Sequence, residues 1–369
     1  MTAEGGPSVE VAPSLEGAPL ESGWLGTRLR THSLMAALLH VPIPVEARTY
    51  FLGGITLFLF GVQVVTGTLL ALYYKPTPDT AYDSVLFITS DVTFGWLIRS
   101  VHHWAANLMI LCLCMHLVRI FFQGAYKYPR ELTWIVGTGL LLATIGFGFT
   151  GYLLPWDQRA FWATTVGTEI AGSVPGIGDE LLQLLRGGAY VSDATLSRFF
   201  GVHVLVLPLA LGALLVVHLT LVHQQGLANP KRPDPRPGSA AAEARTNGKK
   251  KPFFPNYILD EVIAWYAFLA ILVVLASVFP AGLDEKANSL QTPAHIKPEW
   301  YFLSVYELLK HVPRIVGVIA PAIALAILAF WPLLDRNPEV RARRRPIAIL
   351  LGLVTLVVTI GLTIWGFYS

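Results

Sequence analysis

Six histidines lie inside two strongly apolar stretches, "SVHHWAANLMILCLCMHLVRI" at 100–120 and "FFGVHVLVLPLALGALLVVHLTLVH" at 199–223. An imidazole in hydrocarbon costs free energy unless it finds a partner, so each of these rings needs one. His102 and His116 are separated by 14 residues, His203 and His218 by 15. At 100° per residue these steps leave offsets of about −40° and +60°, so each pair stays near one face of its helix, about 21–23 Å apart along the axis. If the two helices run in the same direction, His102 pairs in depth with His203, and His116 with His218. Two imidazoles facing each other across a bundle make a bis-histidine site with no vacant coordination position, which suits haem electron transfer better than oxygen chemistry. Two such sites stacked in depth would carry electrons through a membrane. The competing reading for any single histidine is a helix–helix hydrogen bond. His103 has no counterpart on the second stretch and is assigned to packing or hydrogen bonding.

Four glycines repeat the same period. Gly53 and Gly67 are 14 apart, as are Gly137 and Gly151. Glycine lets a flat macrocycle approach the backbone, although close packing between helices uses it as well. Arg99, Arg119 and Arg198 stand near helix ends, where a guanidinium could pair with a haem propionate or with lipid phosphate. The two cysteines, Cys112 and Cys114, point to different faces of one helix and read as small apolar filler, and no C-x-x-C-H run for covalent haem attachment occurs.

The elements that must position these residues are membrane spans. The chain of 369 residues is 54% hydrophobic and only 14% charged, where a soluble domain carries about a quarter charged residues. Seven stretches are long and apolar enough to cross a bilayer, near 49–74, 98–122, 133–153, 200–223, 258–279, 315–334 and 346–367. The expected fold is therefore an all-α polytopic bundle of seven spans, four of them enclosing the haems. Segments 28–48, 123–133, 224–255 and 335–346 hold 17 Lys/Arg against 6 Asp/Glu, whereas 75–98, 154–198 and 280–312 hold 7 against 12. The positive-inside rule puts the first set in the cytoplasm and the second outside, which leaves the C-terminus outside. Residues 1–27 lack the basic and apolar regions of a signal peptide and read as a disordered tail. Residues 28–44 are expected to form a short surface helix. The basic run 229–257 reads as a linker between a four-span unit, 28–228, and a three-span unit, 258–369.

Taken together, "FLGGITLFLFGVQVVTGTLLALYY", "PRELTWIVG", "GFTGYLLPWDQ", "TLSRFFGVHVLVLP" and "PEWYFL" resemble the cytochrome b family of quinol-oxidising bc complexes, over nearly everything from about residue 30 onward. The resemblance implies a low-potential haem on His102 and His203 near the outer face and a high-potential haem on His116 and His218 near the inner face. The 15-residue step, "PWDQ" and "PRELTW" look like the chloroplast and cyanobacterial branch, where the four-span and three-span parts are usually separate proteins; here they are fused. That branch ties an extra haem to a cysteine beside "LGGI", and Phe51 stands there instead, so the resemblance gives no support for a covalent haem. Other features lean to respiratory members: His223 five residues after His218, and Asp260 at the head of the fifth span, although Leu259 replaces the usual preceding lysine. His223 and Asp260 would line an inner quinone site. The other readings are an interfacial histidine facing water and a helix-entry acid favoured by the dipole.

Pro298, Glu299, Trp300 and Tyr301 spell the family's PEWY motif, in a loop expected outside. The resemblance makes this the outer quinol site. A carboxylate able to turn from bound quinol toward water suits Glu299 for carrying a proton out, with Tyr301 lining the pocket. "PWDQRAFWATTVG" would cover the site and meet a Rieske iron–sulfur protein, or serve only as an interfacial aromatic belt. One electron would go to that partner and the other across the membrane to a quinone, building a proton gradient. A c-type cytochrome partner, a homodimer, surrounding lipid and the inner membrane of a bacterium are implied as well; no nucleic-acid partner is expected. The rival classes are a haem-bearing anchor for a dehydrogenase, which has no need of PEWY, and a secondary transporter, which leaves the paired histidine and glycine levels unexplained.

Overall fold

A computed structural model describes residues 51–226, 228, 257–294 and 296–369, together with the backbone of 42–44 and 250–252. The tail at 1–27, the surface helix expected before Pro42 and nearly all of the 229–257 linker lie outside the described residues. Segments β1 (Pro42–Pro44) and β2 (Lys250–Pro252) pair antiparallel over three residues; every longer described element is helical.

Seven helices are long and apolar enough to span a membrane. They are α1 (Phe51–Ala71), α3 (Gly95–Gln123), α4 (Glu131–Tyr152), α7 (Asp193–Gln225), α8 (Ile258–Val278), α10 (Arg314–Leu334) and α11 (Pro346–Tyr368). Helix is the form such segments take in lipid because it satisfies every backbone N–H and C=O internally. Six spans lie within three residues of the stretches expected from hydropathy, and α7 begins seven residues before its expected start at 200. Between them run α2 (Ala81–Ser90), α5 (Gln158–Gly172), α6 (Gly178–Arg186) and α9 (Trp300–His311). Their ends carry local signals: Asp157 caps α5 by accepting from the Ala160 N–H at 2.9 Å, a Ser192/Thr195 capping box opens α7, and Gly124 takes a left-handed φ of 65° to close α3.

Helix α1 packs on α3, α4 on α7, and α3 on α4, which makes the four-helix unit. Its buried centre holds Ile55, Leu59, Ala105, Met109, Cys112, Leu140 and Leu211, joined by Leu272 from α8. Cys112 therefore does fill space between the two histidine levels, as a small apolar residue.

The later spans are fastened to this unit at both ends. At one end Arg345, buried, donates to the Tyr126 hydroxyl at 2.9 Å and to the Phe122 carbonyl at 2.7 Å. Tyr126 donates in turn to Asp335 at 2.5 Å, beside the Lys127–Asp335 ion pair at 2.7 Å. At the other end the Trp104 indole donates to the Phe279 carbonyl at 2.7 Å, and Gln158 and Asp157 bind the 284–291 strand of chain. Helices α9 and α11 pack together, with buried Glu307 held by Lys310, His311 and Ser369.

Candidate functional site

Helix α7 contains a π-helical turn at Val202–Val206, where the Leu207 N–H reaches back to the Val202 carbonyl. Pro208, at the next position, has no N–H to give its preceding turn, which favours the widened register. One residue is absorbed there, so the 15 steps from His203 to His218 cover the rotation of 14. Both histidine pairs then carry the same offset of about −40°, and the unequal spacing in the sequence becomes equal spacing in space.

His102 and His203 face each other with ring centroids 6.5 Å apart and planes inclined at 67°. Two imidazole nitrogens on opposite sides of one metal, each about 2 Å from it, place their ring centroids about 6.3 Å apart. The observed separation is close to that spacing. His116 and His218 interact electrostatically across the bundle at the second level. A Cβ on Gly67 would lie 3.1 Å from His102 Cε1, one on Gly151 2.5 Å from His203 Cε1, one on Gly53 3.4 Å from His116 Cε1, and one on Gly137 3.2 Å from His218 Cε1. Each of the four glycines thus backs one of the four histidines, level by level. The spacing argument brought the glycines to the right depth; that each meets an imidazole is a result of the fold. His103 is exposed and points away from this interior, edge-on to Trp104.

These rings also have fixed outer partners at one level. The Thr66 hydroxyl lies 2.9 Å from His102 Nδ1 and the Thr150 hydroxyl 3.1 Å from His203 Nδ1. His116 Nδ1 has no hydrogen-bond partner among the described residues, and His218 meets the Thr133 backbone rather than a side-chain hydroxyl.

Two family models fall on the chain. "Cytochrome b/b6/petB" matches residues 38–226 and "Cytochrome b(C-terminal)/b6/petD" matches residues 286–369. The chain belongs to the cytochrome b family. Among relatives, a "Cytochrome bc complex cytochrome b subunit" of Chlorobaculum thiosulfatiphilum is 40% identical, covering 91% of this chain and 78% of that protein. A "Cytochrome b" of Rhodobacter capsulatus is 36% identical over 88% of this chain and 79% of its own length. A solved structure described as "Hyperthermophilic respiratory Complex III" superposes with a TM-score of 0.84 at 34% identity, covering 94% of this chain and 91% of that one. This cytochrome b is accordingly a multi-pass electron-transport protein of the membrane, and a family defined by b-type haem agrees with the donor set found here.

Of the arginines considered for haem propionates, Arg99 donates to the Ala281 and Gly282 carbonyls at 2.7 and 2.6 Å. Arg198 donates to the Gln183 and Leu184 carbonyls at the end of α6. Both close loops with those donors. Arg119, on the turn after His116, acts electrostatically on that ring.

In the PEWY segment, Glu299 is the residue preceding α9, half-buried, with its carbonyl taking the Phe302 N–H. Burial raises its carboxyl above the usual carboxylate range, and Arg159 pulls it back. Tyr301 packs its ring at 4.7 Å from Phe302, and a Cβ on Gly148 would fall 2.9 Å from its hydroxyl. Burial also pushes the Tyr301 phenol up. Trp300 turns the other way and donates to Asn107 on α3 at 2.7 Å. Pro298 supplies the extended approach to α9. Sequence reasoning missed three residues that converge here: Tyr152, whose buried hydroxyl has no partner among the described residues and which senses Glu299 and Tyr301, Arg159, and Gly148. All three lie in or beside the quoted "GFTGYLLPWDQ", so the signal was the motif itself.

At the opposite end, His223 is exposed and Asp260 half-exposed on the first turn of α8. The neighbouring Glu261 is the buried one. Its carboxylate faces Gly54, where a Cβ would overlap it, and its Oε2 has no partner among the described residues. Tyr257 and Trp265 are the side chains that face this carboxyl. An acid at the head of this helix was legible in the sequence; which of two adjacent acids turns inward was not.

Proposed function

We propose that this cytochrome b is the di-haem membrane subunit of a quinol-oxidising bc-type complex, delivering electrons to a c-type cytochrome through a Rieske iron–sulfur partner. The observation that carries this reading is the 6.5 Å approach of His102 and His203, each backed by a glycine. His102 with His203, and His116 with His218, would hold the two haems. Gly53, Gly67, Gly137 and Gly151 give the backbone approach; of the cations considered for propionates, Arg119 acts on the His116 ring, and Arg99 and Arg198 would meet a propionate only by giving up the carbonyls they hold. Bound b-type haem at the two levels supplies one-electron carriers along a path through the bilayer.

The remaining work belongs to the protein. Segments rich in Lys and Arg place the His116/His218 end inside and the PEWY end outside, in the inner membrane of a bacterium. At the outer site, oxidation of a quinol releases two electrons and two protons. One electron leaves for the Rieske protein docked over α5 and α6, and the second crosses this chain. Glu299 accepts a proton from the bound quinol and turns it toward water, a task suited to a carboxyl whose proton affinity burial has raised. Tyr301 and Tyr152 bound the pocket against α4. At the inner site a quinone takes electrons and protons beside buried Glu261, with the more exposed Asp260 and His223 toward water. Release outside and uptake inside build a proton gradient. The homodimer of the family is the assembly in which this takes place.

An optical redox titration of the purified protein tests the reading. Two b-type haems with separate midpoint potentials are expected; a colourless protein or a single haem overturns it.

A further inference from the structure

We infer that Thr66 and Thr150 are positioning residues that fix the tautomer of both outer histidines and lower the potential of the outer centre relative to the inner one. The inference rests on the di-haem reading above.

Each threonine has one hydroxyl proton, and in each case it is spent. Thr66 Oγ1 donates to the Val62 carbonyl at 2.7 Å, and Thr150 Oγ1 donates to the Gly146 carbonyl at 2.8 Å, both one turn back along their own helices. What remains on each oxygen is acceptor capacity. The contacts at 2.9 Å to His102 Nδ1 and 3.1 Å to His203 Nδ1 therefore run from Nδ1–H to the hydroxyl, with the Phe147 backbone as a second acceptor at His203. That leaves Nε2 of both rings deprotonated, the form a metal requires.

The arrangement occurs twice at one level and is missing at the other. Thr66 precedes Gly67 and Thr150 precedes Gly151, whereas Leu52 precedes Gly53 and Val136 precedes Gly137. The glycine admits the imidazole to the helix, and the residue before it then stands beside Nδ1. At the inner level that residue carries no hydroxyl: His116 Nδ1 has no partner among the described residues, and His218 meets the Thr133 backbone instead of a side-chain hydroxyl. A ring donating from Nδ1 gains imidazolate character and is a stronger ligand. A stronger axial donor favours the oxidised metal, which lowers the reduction potential. Two threonine hydroxyls at the outer level and none at the inner level thus push the two centres apart in the direction that drives an electron inward.

The test is potentiometric, on the whole complex in membranes. Thr66→Val and Thr150→Val, which keep the branched shape and remove the hydroxyl, are expected to shift the outer midpoint upward and leave the inner one in place. The double variant should narrow the gap further, and Thr66→Ser and Thr150→Ser should restore the wild-type gap. Unmoved potentials in valine variants that still hold both haems overturn the inference while the di-haem reading stands. If a valine variant loses the outer haem and the serine variant retains it, the hydroxyl's positioning role is supported; loss in both overturns it. A wild-type complex without two b haems removes the reading underneath and the inference with it.

Discussion

The His203 ring lies against the backbone of Gly151, so closely that a Cβ there would stand 2.5 Å from Cε1. No real Cβ tolerates that approach, and the ring is also held by Thr150 through Nδ1 and lies edge-on to Phe147 at 5.3 Å. Gly151→Val is therefore expected to displace His203 and abolish the outer b-type absorbance while the inner one persists. Gly53→Ala, where the same distance is 3.4 Å, should be tolerated. Haem spectra of the two variants check the contrast.

Glu299 must be ionised to accept a proton from quinol. Because burial raises its proton affinity, the rate of quinol oxidation should climb as pH rises through that raised value. Glu299→Gln is expected to slow turnover by about 10²- to 10⁴-fold, the range for losing one general acid–base group, and to flatten the alkaline climb, with both haems still reducible. A pH–rate profile of wild type and variant decides this; an unchanged profile would remove the proton role.

At the inner end the buried acid and the half-exposed one make opposite predictions. Glu261→Gln should slow quinone reduction at the inner site, whereas Asp260→Asn should leave it near wild type. Single-turnover reoxidation of the inner haem, with the outer site blocked, separates the two.

The end of the bundle near Tyr126 depends on a buried ion pair. Lys127→Ala leaves Asp335 with the Tyr126 hydroxyl and no cation, and losing one member of a buried pair costs about 3–5 kcal/mol. The expected outcome is a lower thermal midpoint with unaltered haem potentials, because the pair joins α10 to the loop after α3 and lies outside both histidine levels.

The sequence by itself determined the spans, the direction of charge bias and the depth of the histidines and glycines. These follow from short-range rules: about 20 apolar residues cross a bilayer, and a 14-residue period returns to one helix face. His102, His116, Gly53 and Gly67 were legible for that reason. Tertiary structure decided what one-dimensional spacing cannot contain. The π turn at Val202–Val206 reconciled the 15-residue step with the 14-residue ones. Packing of α8 on α1 turned Glu261 rather than Asp260 toward Gly54. Folding committed Arg99 donors to carbonyls more than 180 residues away. It also brought Thr66 and Thr150, unremarkable as letters, onto the two outer imidazoles. Periodicity fixes the face and depth of a residue within its own helix; the partner it meets depends on how the helices pack.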